Sequence, residues 1–86
     1  MEISVELTLT PLQDNFEPPI IAFIKVLRAS GCTINETPLS TQIYGKFPTV
    51  MPLITKATQA AFEQTEHIIL HMKVVKSNRS DYEPTF

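Results

Sequence analysis

The chain has 86 residues, 43% of them hydrophobic and 19% charged, with a formal net charge of −2. That length accommodates one domain and no second core, and the charge balance excludes the clustered Lys and Arg of a nucleic-acid footprint. A single cysteine, Cys32, excludes an internal disulfide, and no stretch approaches the roughly 20 apolar residues of a membrane helix; the expectation is a cytoplasmic domain.

The first element is read from strict alternation. Ile3, Val5, Leu7 and Leu9 interleave with Ser4, Glu6, Thr8 and Thr10, the period of a half-buried strand. Pro11 is expected to end it, because proline cannot donate to an interior ladder. After the polar loop Gln13-Asp14-Asn15, Pro18-Pro19 open a helix, a place where the missing N–H costs nothing. Its buried face is Ile20, Phe23, Ile24 and Leu27, and Gly31 is expected to stop it in a left-handed cap.

Cys32 to Glu36 predicts a short edge strand, broken by Thr37-Pro38. The next strand is expected to place Ile43, Gly45 and Phe47 on one side and Gln42, Tyr44 and Lys46 on the other. A second helix is predicted near Pro48-Thr49, with Thr49 as N-cap. Val50, Leu53, Ile54, Ala57 and Ala61 form its apolar stripe, and Pro52 fits only within its first turn. The last strand runs from Glu66 to Val75. Residues 78–86 are expected to form a tail, mobile unless a partner subunit holds it, behind a single domain of residues 1–77.

The order β-α-β-β-α-β predicts an α+β, ferredoxin-like sandwich: a four-stranded antiparallel sheet with two helices on one face. The other face, with Glu6, Thr8 and Thr10 beside Gln42, Tyr44 and Lys46, suits water or a second copy of the chain.

Chemistry is sparse along the chain. Ser40-Thr41 place two neutral hydroxyls before a strand, where they can line a ligand rim or bond their own turn. Gly45 permits close approach of another backbone or a ligand. His67 and His71 are spaced for a metal on a helix, but on a strand four residues span roughly 13 Å, so no single-chain metal site is expected. No nucleophile–base series, glycine-rich phosphate loop or spaced carboxylate pair appears, so no enzyme activity and no cofactor are expected.

The segments VELTLTPL, DNF, TPLSTQIYGKFPTVMPLITKATQAAF and TEHIILHMKVVKSNRSD, in this order and spacing, resemble the thiamine-binding (YkoF-like) family of small ferredoxin-like domains. The resemblance runs from Ile3 to about Asp81 and departs after the last strand, where Lys76-Ser77-Asn78-Arg79 replaces a Gly-Cys-Pro-Gly run. It implies non-catalytic binding of thiamine or its hydroxymethylpyrimidine moiety, in dimers or tetramers built through sheet faces or edges. An aminopyrimidine needs hydroxyls or amides at its edge and apolar groups over its faces. Ser40, Thr41, Thr37 and Asn15 are candidates for the edge, with Thr8 and Glu6 on the neighbouring strand. Phe16 or Phe47 could cover a face, and Glu6, Asp14 or Tyr44 could meet a cationic thiazolium. The alternatives are a structural or regulatory oligomer with a degenerate pocket and, third, a histidine-dependent enzyme or regulator.

Overall fold

Alternating apolar residues organise the sheet around its first strand. In the computed structural model, which describes residues 1–86, the strands are β1 (Glu2–Pro11), β2 (Thr33–Glu36), β3 (Thr41–Lys46) and β4 (Ile68–Val75). The helices are α1 (Glu17–Arg28) and α2 (Phe47–Phe62). The sheet order is β2-β3-β1-β4 and every pairing is antiparallel, which makes β1 and β3 central. Ile3, Val5, Leu7 and Ile43 share one face. They form a single buried cluster with Phe23 and Leu27 of α1 and Val50, Ile54, Ala57 and Ala61 of α2. Both helices therefore cover the same side, and the molecule's thinnest dimension, 18 Å, is that of two layers. No helix is long and apolar enough to cross a membrane.

One boundary matches the sequence expectation and others differ, for identifiable reasons. β1 ends at Pro11, as expected, with the proline itself still paired to Ile68 of β4. Register explains it: Phe47 N–H donates to the Met1 carbonyl and Leu12 N–H to the His67 carbonyl, each at 2.9 Å. Odd positions of β1 thus turn their backbone groups toward β3 and even positions toward β4. The N–H that Pro11 lacks would point to the β3 side, where β3 is already absent.

α2 starts at Phe47, not near Thr49. Its N-cap is Lys46 in extended backbone, with no side-chain cap, so Phe47 leaves the strand face assigned to it. The earlier start puts Pro52 inside the helix, past the first turn. Gly31 does adopt a left-handed φ of 77°, two residues beyond the C-cap Ala29.

β4 is less covered than its alternation suggests. Ile68 and Leu70 pack against the core, but Met72 and Val74 on the same side stay exposed, because α2 lies over β3 and β1. The segment after β4 is tied to its own chain. The Ser4 hydroxyl donates to the Ser77 carbonyl at 2.7 Å and accepts from Arg79 N–H at 2.8 Å, and Asn78 Nδ2 donates to Glu2 Oε1 at 3.0 Å. These bonds bury Ser4 on the face that carries no helix.

Candidate ligand-binding site

β3 begins at Thr41 while β1 continues to Pro11, which leaves a notch in the sheet. β1 from Leu7 to Leu9 forms one wall and the turn from Thr37 to Ser40 forms the other. Ile20, Phe23 and Ile24 of α1 close the floor. The cavity has a volume of about 140 Å³, close to the roughly 150 Å³ of an apolar protein cavity that holds benzene. One six-membered ring fills such a space, and a second ring must lie outside it.

Thr37 builds the turn. Its hydroxyl donates to the Ser40 carbonyl at 2.9 Å and accepts from the N–H groups of Ser40 and Leu39 at 3.1 and 3.3 Å. The Thr37 N–H also donates to the Ser40 carbonyl at 2.9 Å. This hydroxyl is engaged locally, in the way that Ser and Thr side chains stabilise turns; it shapes the wall.

Ser40 and Thr41 do not form one rim of paired hydroxyls. Successive strand residues alternate in direction, and Thr41, opposite Leu7, turns toward the helices. Thr41 is 8% exposed and lines the cavity, and its hydroxyl takes no part in the side-chain hydrogen bonds of the wall. Ser40 turns its hydroxyl the other way: Oγ donates to Glu6 Oε2 at 3.2 Å and accepts from Gln42 Nε2 at 2.6 Å. Glu6 Oε1 in turn lies 3.8 Å from Lys73 Nζ. Ser40 is therefore the link between the cavity wall and a charged pair on the open face.

Of the remaining expected site residues, Thr8 lines the β1 wall of the cavity and pairs with His71 of β4. Glu6 reaches the site only through Ser40. Asn15 lies outside the cavity, in an exposed loop where its carbonyl accepts from Gln13 Nε2. Phe47 lines a separate apolar surface with Pro48, Met51 and Pro52, and Phe16 is also outside the cavity. The aromatic ring at the cavity is Phe23. Its helical spacing assigns it to the core stripe, and only the missing stretch of β3 makes part of that stripe a floor. Leu9 was likewise hidden among core-facing strand residues.

His71 lies in β4 and His67 just ahead of it; no three His, Cys, Asp or Glu side chains come together as metal ligands. At the far edge Arg28 Nε and Nη2 both donate to the Glu36 carboxylate at 2.7 Å. That hydrogen bonding holds the Glu36 carboxyl below its ordinary range, against a smaller opposing effect of desolvation.

A family model described as thiamine-binding protein matches residues 5–86. The chain belongs to the thiamine-binding protein family. Solved structures with the same fold as this thiamine-binding family member include protein SP2199 from Streptococcus pneumoniae. It has a TM-score of 0.84 and 22% identity, with 91% of this chain and 89% of that chain covered. A Thermotoga maritima protein, described in connection with thiamine biosynthesis or salvage, has a TM-score of 0.80 and 14% identity over 90% of this chain and 85% of that one. Protein MJ1052 from Methanocaldococcus jannascii has a TM-score of 0.76 and 15% identity over 98% and 87%. At such identities the likeness is one of fold. No curated protein sequence matches the chain.

Proposed function

We propose that this family member binds thiamine or its hydroxymethylpyrimidine moiety in the cytoplasm, without catalysis, as a homo-oligomer. The observation that carries the reading is the cavity: its volume of about 140 Å³ suits one pyrimidine ring. Phe23, Ile20 and Ile24 supply apolar surface for the ring, and the Thr41 hydroxyl supplies a neutral polar contact. The thiazolium of thiamine then lies at the mouth, and the Glu6 carboxylate, one hydrogen bond beyond Ser40, favours a cation there.

Self-association is supported by β4. It is the terminal strand of the sheet, so its outer backbone groups are unpaired, and Ile69, Met72, Val74 and Val75 are exposed along it. Calorimetric titration with thiamine and with hydroxymethylpyrimidine tests the function. Saturable heat with about one ligand per chain is the expected result. No heat at millimolar ligand removes the binding reading and leaves a structural or regulatory oligomer.

A further inference from the structure

The backbone of β1 carries an unpaired position inside the cavity. Odd residues of β1 direct N–H and C=O toward β3, as the Phe47-to-Met1 bond fixes. Ile3, Val5 and Leu7 meet Gly45, Ile43 and Thr41 there. Continued register would bring Leu39 opposite Leu9, but Leu39 belongs to the turn and its N–H donates to the Thr37 hydroxyl instead. No backbone bond outside the regular elements involves Leu9, and the Thr37, Ser40 and Gln42 side chains of the turn and of β3 all bond elsewhere. The next odd residue is Pro11, which has no N–H. The free edge is thus one residue long, closed by a paired Leu7 on one side and a proline on the other. Leu9 lines the cavity.

Buried backbone groups are almost always paired, and one strand residue with both groups free offers a donor beside an acceptor. We propose that the Leu9 N–H and C=O are the reading edge of the site. They would exchange two hydrogen bonds with a planar heterocycle that carries an acceptor next to a donor. A 4-aminopyrimidine has that edge: its ring nitrogen accepts from Leu9 N–H while its amino group donates to Leu9 C=O. The proposal rests on the pyrimidine-binding reading and adds the selection rule, in which the backbone rather than the Ser40 hydroxyl identifies the ring. An added peptide strand is disfavoured, since strand addition draws on a row of free groups and only one residue here offers both.

Amide hydrogen exchange by NMR, with and without 4-amino-5-hydroxymethyl-2-methylpyrimidine, tests the proposal. Without ligand, the Leu9 amide should exchange at least about tenfold faster than that of Leu7, because only Leu7 is in the ladder. With saturating ligand, Leu9 should gain at least about tenfold protection. The analogue with a 4-methyl group in place of the amino group should bind at least about tenfold more weakly, as it leaves the Leu9 carbonyl unpaired. Binding with unchanged exchange at Leu9, or equal affinity for the methyl analogue, overturns this assignment and leaves the pyrimidine reading standing. Absence of any binding overturns both.

Discussion

Ser40 and Thr41 are neighbours in the chain and point to opposite sides of the sheet, so their substitution should separate two roles. Thr41→Val keeps the shape and removes a hydroxyl that takes no part in the side-chain hydrogen bonds of the wall. Pyrimidine affinity should fall about tenfold, near the value of one hydrogen bond. Stability should stay within about 0.5 kcal/mol, as for changes that break no internal contact; unchanged affinity in calorimetry would remove Thr41 from the site. Ser40→Ala should instead act on Glu6, which loses a donor and keeps Lys73. Thiamine, with its positive charge, should then lose a different amount of affinity from the neutral pyrimidine, and equal losses would argue against the Glu6 contact.

The Arg28–Glu36 pair gives a pH dependence of known sign. Because Arg28 holds the Glu36 carboxyl below its unfolded value, its contribution is present above that value and is lost as pH falls through the folded one. The stability difference between the protein and Glu36→Gln should therefore shrink as pH falls below the ordinary glutamate value of 4.5, read from urea midpoints; a constant difference would contradict it.

Where β3 becomes α2 without a loop, the junction depends on Gly45. Its φ is 155°, and an added Cβ would lie 3.2 Å from Val50 Cγ2. Val50 is fully buried, so the close approach of strand and helix leaves little room to yield. Gly45→Ala should cost about 1–3 kcal/mol, from strain at a sparsely populated φ and from crowding in the core. Thermal melting checks this, and an unchanged midpoint would mean that the junction relaxes freely. Pro52 in the second turn of α2 withholds the bond that its N–H would give to the Pro48 carbonyl. The stretch FPTVMP therefore reads as a late helix start, although the chain turns helical at Phe47.

At the scale of the whole molecule, the helices shield one side of the sheet and leave the other to polar side chains, Tyr44 and the returning Ser77–Arg79 segment. A charge placed at Tyr44 would lie on that open face. If copies pack through it, Tyr44→Asp should shift sedimentation toward smaller assemblies while the melting temperature of the smallest unit holds. An unchanged sedimentation profile would move the interface to the β4 edge.

Element order, the faces of β1 and α1, and the edge position of β2 were legible in the sequence, because periods of two and of 3.6 residues register burial locally. Family membership was legible too, in the order of its segments. The cavity was not. It exists because β3 begins late relative to β1, a fact of register between strands more than thirty residues apart in the chain. That offset leaves the core residue Phe23 lining a floor as well, separates Ser40 from Thr41, and leaves Leu9 unpaired. Side-chain pattern carries burial, but a free backbone group is defined only by the strand that fails to reach it, and tertiary pairing alone decides that.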